Sequence, residues 1–277
     1  MFIIAAILGV GIGMLSGMLG IGGGTVMVPL FRLLFGMSPL MSTATSLFAI
    51  VPTSISGVVT HLKNKTCIPA LGIAAGIGGA LMSPVGVWLA QISPDWMVMV
   101  AAALVIGYSA INMFRKAAKL PPDRIRKEQL KAEANAASEG KPAPQQQEIT
   151  IPTLTRKQLL TGLAIGLIAG LASGYVGVGG GFIMVPLMIS LIGIQMRHAS
   201  GTSLIAVMIL AIPGVITQAI LGNINYTAGI AIVIGTIPGA FLGAKFVRVI
   251  PERTLRFTFG GFLLIAAALL AVKEFIL

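Results

Sequence analysis

The chain has 277 residues, 56% of them hydrophobic and only 10% charged, too few polar side chains to clothe a water-soluble surface, so it is an integral membrane protein. Its net charge of +11 would suggest nucleic acid in a soluble domain; here it reads as orientation, because Lys and Arg are retained on the cytoplasmic side of membrane spans, and no nucleic-acid partner is expected. The single cysteine, Cys67, excludes an intrachain disulfide and a thiolate metal centre and reads as a buried small residue.

Apolar runs of helical length recur along the chain, and none alternates like a barrel strand, so the fold class is all-α. The first half predicts helical segments at about 2–20, 25–36, 40–61, 68–91 and 95–114. Met1 to Leu19 lacks a basic leader and reads as a retained span rather than a signal peptide. A polar stretch, 115–157, follows, with Pro121, Pro122, Pro142, Pro144 and the run Gln145–Gln147; it cannot bury a core and reads as a linker, with a helical stretch expected around Arg126 to Ala137. The second half predicts segments at about 158–177, 182–193, 199–220, 227–248 and 256–276. The expected organisation is a membrane repeat over 1–114, a cytoplasmic linker over 115–157 and a second repeat over 158–277.

The two halves are copies. Shifted by 157 positions, Gly9–Pro94 matches Gly166–Pro251 without a gap at 29 of 86 positions, and Ser16–Gly36 matches Ser173–Gly193 at 12 of 21. The densest match is Gly-Ile-Gly-Gly-Gly-Thr-Val-Met-Val-Pro-Leu at 20–30 against Gly-Val-Gly-Gly-Gly-Phe-Ile-Met-Val-Pro-Leu at 177–187. Five segments per copy is an odd number, so if every segment crosses, the second repeat is inverted. With the linker in the cytoplasm, 17 of the 19 Lys and Arg fall inside, leaving Arg32 and Lys273 outside. A threading that makes the second segment re-entrant scatters them, so the positive-inside rule favours two inverted-topology repeats with both termini outside.

The second segment of each repeat is short and Gly-led. Phe2 to Met37 is 36 residues, roughly 54 Å of helix, whereas two crossings need about 60 Å. Gly22, Gly23 and Gly24 should therefore lie at membrane depth, approached from the cytoplasmic side, and Gly179, Gly180 and Gly181 at matching depth from the other. Irregular backbone at that depth must be buried in protein or line a wet cavity. Short Gly/Pro-interrupted segments in corresponding places of two halves point to a transporter's central site. Bare amides followed by a helix start suit an anion. Thr25 can add a hydroxyl, where the second copy has Phe182. Thr45 and Ser46, matched by Thr202 and Ser203, lie about a turn into the third segments; they can donate to an oxyanion or bind their helix to a neighbour. Dry packing of the turn glycines against neighbouring helices would count against this site.

Arg32, aligned with Ile189, could offer electrostatic help or snorkel to headgroups. His61 and His198 sit near segment ends, where an interfacial role is expected. All eight acidic residues lie in the linker, a short loop or the tail, which argues against a cation pump of the usual design. No metal site, no cofactor and no catalytic constellation is expected, so an enzyme is not. The ladders Gly9/Gly13/Gly17, Gly166/Gly170/Gly174, Gly72/Gly76 and Gly235/Gly239/Gly243 are assigned to helix packing.

Two copies of a Gly-x-Gly-Gly-Gly turn, each followed by Val-Pro-Leu and a Thr-Ser-containing helix, resemble the TauE/SafE family of sulfite exporters and organosulfonate permeases. The resemblance covers both repeats and implies a prokaryotic inner-membrane carrier of a small sulfur-containing oxyanion, with Gly22–Gly24 and Gly179–Gly181 as its turns and Thr45, Ser46, Thr202 and Ser203 as their helix neighbours. The long charged linker is more than the family leads one to expect. Alternating access would rock one repeat against the other. The alternatives are a passive small-anion channel and a membrane scaffold acting through its linker.

Overall fold

The computed structural model of the chain describes residues 2–119, 155–247 and 250–276. Most of the linker, including the stretch around Arg126 to Ala137 expected to be helical, lies outside the described residues. Among the described residues ten α-helices follow in order: α1 (Phe2–Leu19), α2 (Gly24–Phe35), α3 (Pro39–Lys63), α4 (Pro69–Ile92), α5 (Asp95–Ala118), α6 (Arg156–Val176), α7 (Gly181–Leu187), α8 (Met196–Ile220), α9 (Tyr226–Phe246) and α10 (Glu252–Ile276). Among the described residues six helices, α3, α4, α5, α6, α8 and α9, are long and apolar enough to cross a bilayer; Ile4–Leu19 and Gly181–Ile192 are shorter apolar helices.

The helix ends follow local chemistry. Ser38 Oγ accepts from the Met41 N–H at 3.3 Å to open α3, and Asn225 Oδ1 accepts from the Ala228 N–H at 3.1 Å to open α9. Pro39 and Pro69 begin α3 and α4, where a missing N–H costs nothing. One feature lay beyond the periodicity: α7 continues as a π-helix over Met188–Ile192, whereas its counterpart α2 is α-helical throughout. Ser190 Oγ donates to the Pro186 carbonyl at 2.6 Å, so a hydroxyl competes for the acceptor that an α-helical N–H would take. The matching position in α2 is Leu33, which has no hydroxyl.

Packing is exchanged between the halves. α1 lies on α9 and α6 on α4, each pair so close that glycine meets backbone: a Cβ on Gly9 would stand 2.6 Å from the Ile232 carbonyl, one on Gly13 would overlap Thr236, and one on Gly17 would overlap Ala240. Gly166, Gly170 and Gly174 meet Ala75, Gly79 and Ser83 in the same way. The glycine ladders are helix-packing stripes, as read from the sequence. In both pairs residue numbers rise together, so the paired helices run in one direction.

α3 also rises with α9. Thr53 Oγ1 meets Thr236 Oγ1 at 2.6 Å, Ser56 Oγ donates to the Ile237 carbonyl at 2.7 Å, and Asn64 Nδ2 donates to the Ala244 carbonyl at 3.3 Å. α8 rises with α4, Gly72, Gly76 and Ser83 standing against Ile205, Ile209 and Gly214. Where α3 meets α8 the numbers run oppositely, Gly57 against Leu204 and Leu47 against Gly214. α5 and α10 likewise oppose, with Phe114 and Phe257 rings 6.0 Å apart and Gly260 against Phe114 and Ala110. α1, α3 and α9 thus point one way and α4, α6 and α8 the other. These directions gather Lys63, Lys65, Arg115, Lys119, Arg156, Lys157, Arg197, Lys245, Arg253 and Arg256 at one end of the molecule, and Arg32 with Asp95 at the other.

Candidate functional site

The two Gly-led turns meet at the centre, fully buried. Each has three glycines in the left-handed region at matching positions: Gly20, Gly22 and Gly23 at φ 77°, 74° and 86°, and Gly177, Gly179 and Gly180 at φ 72°, 86° and 68°. A side chain at any of them would be strained. Gly24 and Gly181 instead begin α2 and α7, and there the requirement is space: a Cβ on Gly24 would stand 2.6 Å from the Val178 carbonyl, and one on Gly181 would overlap the Gly20 carbonyl. Turn geometry and close approach of the two backbones therefore account for these glycines without a ligand. Apolar atoms complete much of the shell, with Val207 and Ile50 against Gly22, Met27 against Gly23 and Ile50 against Gly179.

The start of α2 is nonetheless anion-compatible, whereas at α7 the Gly181 N–H already donates to the Gly179 carbonyl at 2.8 Å. Val26 and Met27 N–H groups both donate to the Gly23 carbonyl at 3.2 Å, and Ile183 and Met184 to Gly180 at 3.1 and 3.0 Å. The N–H groups of Gly24 and Thr25 precede the first helical acceptor.

The Thr-Ser pairs divide. Thr45 Oγ1 accepts from the Asn225 N–H at 3.0 Å, and Thr202 Oγ1 accepts from the Ile68 N–H at 2.9 Å. Asn225 and Ile68 are the N-cap residues of α9 and α4, 157 positions apart, so both threonines fasten the start of a fourth-segment helix from the other half. Ser203 Oγ donates to the carbonyls of Gly20 at 2.7 Å and Ser200 at 2.9 Å, tying α8 to the first turn. Its counterpart Ser46 is equally buried, and its hydroxyl has no partner among the described residues. The same holds for Thr25.

Arg32 lies in the last turn of α2, eight residues beyond Gly24 or roughly 12 Å along the helix, and is not brought to the turns. His61 differs from its expected interfacial setting. It is fully buried, Nε2 lying 2.8 Å from the Gly17 carbonyl and Nδ1 2.8 Å from Thr66 Oγ1, because the end of α1 covers the last turns of α3. Its counterpart Gln218 is buried too, accepting from Asn223 Nδ2 at 2.8 Å. Two residues at the turns escaped the sequence reading: Ser16 and Ser54, both fully buried, with hydroxyls unpartnered among the described residues. Recurrence of Ser16 as Ser173 in the second copy was a signal that could have found the first.

A separate cavity of about 220 Å³ opens where α3 crosses α8, lined by Phe48, Val51, Pro52, Ile212, Val215 and Ile216. Its walls are apolar and offer nothing to an anion. Among the described residues no group of three His, Cys, Asp or Glu could hold a metal ion.

The family model for the sulfite exporter TauE/SafE matches residues 5–270, and the chain belongs to that family. It is similar to the probable membrane transporter proteins YunE (26% identical, 92% of this chain and 91% of the relative) and YdhB (29%, 88% and 90%) of Bacillus subtilis. A probable membrane transporter protein of Haemophilus influenzae is 28% identical over 94% of each chain. No solved structure matches. An all-helical membrane protein of a transporter family is the class that fold and relatives define together.

Proposed function

We propose that the protein is a secondary carrier of a small sulfur-containing oxyanion, such as sulfite or an organosulfonate, which binds where the two glycine turns meet. The observation that carries this reading is the fully buried Thr25 hydroxyl, left without a partner among the described residues at the start of α2, beside two equivalent left-handed turns. Helix starts supply N–H groups and the positive ends of dipoles, and neighbouring hydroxyls supply further donors. Gly22, Gly23, Gly24 and Thr25 on one side and Gly179, Gly180 and Gly181 on the other, with Ser46 of α3, form this site, while Thr45, Thr202 and Ser203 hold its walls.

The halves act as inverted repeats, a reading supported by the opposed course of α3 against α8 and of α5 against α10. Alternating access then parts the turns from one side at a time. The moving bodies follow the exchanged packing, α1, α3 and α9 against α4, α6 and α8, rather than the two sequence halves. The protein lies in a prokaryotic inner membrane with its basic end and linker in the cytoplasm and both termini outside.

The test is a binding screen of sulfite, thiosulfate, sulfoacetate and taurine on purified protein, repeated on Gly180→Leu, with proteoliposome uptake as the transport readout. Binding of a sulfur oxyanion, lost in the variant, with saturable uptake and counterflow, is the expected result. Unsaturable flux without counterflow would make it a channel.

A further inference from the structure

Hydroxyls in the helices of this protein usually bond back to their own backbone: Thr53 to the Ala49 carbonyl at 2.7 Å, Ser200 to Met196 at 2.9 Å and Thr217 to Pro213 at 2.9 Å. That arrangement removes the cost of leaving a polar group buried and unpaired. Among the described residues seven buried hydroxyls have no partner at all, Ser42, Ser46, Ser83 and Ser173 among them, and three of the seven, Ser16, Thr25 and Ser54, stand at one turn. Each is fully buried, and none of their hydroxyls has a partner among the described residues. They come from three different helices, α1, α2 and α3, and converge on one turn. Ser54 Oγ lies 3.5 Å from the point a Cβ on Gly22 would occupy, Ser16 Cβ lies 3.5 Å from that point on Gly23, and Thr25 is the second residue of α2. At the second turn Ser173 repeats Ser16, but Phe182 and Ala211 stand where Thr25 and Ser54 would be.

Resting on the reading of the turns as the site, we infer that Ser16, Thr25 and Ser54 are its recognition half and that it takes singly charged oxyanions in preference to dianions. The donors there are neutral hydroxyls and amides, and Arg32 stands at the far end of α2. The start of α2 offers the equivalent of roughly half a positive charge. A monoanion is the closer match to that field. A dianion would carry a second buried charge with no counterpart.

The experiment measures affinity and apparent Tm on the purified full-length protein with methanesulfonate as monoanion, sulfate and thiosulfate as dianions, and acetate and nitrate as monoanions without sulfur. It is repeated on Ser16→Ala, Thr25→Val and Ser54→Ala, and on Thr53→Val, whose hydroxyl is already bonded to Thr236. Methanesulfonate should bind at least about tenfold more tightly than sulfate, and each of the three variants should weaken it about tenfold with Tm unchanged or raised. Thr53→Val should lower Tm and leave affinity within roughly twofold. Equal binding of sulfate and methanesulfonate overturns the charge preference; variants that bind as well as the parent, or a parent that binds no monoanion, overturn the hydroxyl site. If acetate or nitrate binds as methanesulfonate does and is lost in the same variants, this inference stands and the sulfur selectivity of the proposed function fails.

Discussion

The first and second glycine turns share a backbone and differ in their surroundings. Three left-handed glycines at matching positions give both the same path, yet Thr25 and Ser54 flank one where Phe182 and Ala211 flank the other. Geometry has been kept in both copies while polarity has been concentrated in one. A duplicated element can thus hold its shape through torsion and packing while the polarity around its two copies diverges.

The sharpest way to break the shared part is at the contact between turns. Gly181→Ala drives a methyl into the Gly20 carbonyl and Gly24→Ala drives one against Val178; each should cost about 3 kcal/mol or more, seen as a collapse of Tm or of folded yield. Equal damage from both would show that the contact is symmetric. Next come Thr45→Val and Thr202→Val. Each leaves one N-cap N–H unaccepted, that of half-buried Asn225 or of buried Ile68, and each should lower stability by about 1–2 kcal/mol, the loss at Ile68 being the larger.

The polar difference can be sharpened by adding a hydroxyl where the second copy lacks one. Ala211→Ser places a buried hydroxyl at the counterpart of Ser54 and should cost about 1 kcal/mol unless it bonds back to its own helix. The smallest effect is expected at Cys67, which is buried, as is Ile224 at the matching position of the other copy. Cys67→Val, close to isosteric, should change stability by less than about 1 kcal/mol. Burial pushes the thiol up to about 11. Its folded value is raised, so the neutral thiol favours folding below the ordinary thiol range and that contribution is lost as pH rises through about 11. Maleimide labelling should therefore be very slow at neutral pH and accelerate only toward that value.

Much of this was legible before any coordinates. Apolar runs fixed the helices to within a few residues because membrane spans demand long uninterrupted stretches, and the glycine ladders announced close packing. The meeting of the turns was implied by their duplication. The partners of Thr45 and Thr202 were not, since nothing in a single segment says that its hydroxyl will face the N-cap of a helix 180 or 134 residues away. His61 was misplaced for a related reason: a segment end is interfacial only if no other chain covers it, and here α1 does. Ser54 was invisible because its importance lies in bonds it does not make.

The exchanged pairing of α1 with α9 and α6 with α4 has a consequence for biogenesis. A nascent first half enters the bilayer carrying two glycine-lined helix faces whose mates are not yet synthesised, so residues 1–119 expressed alone should be short-lived. Supplying residues 155–277 from a second gene should rescue them.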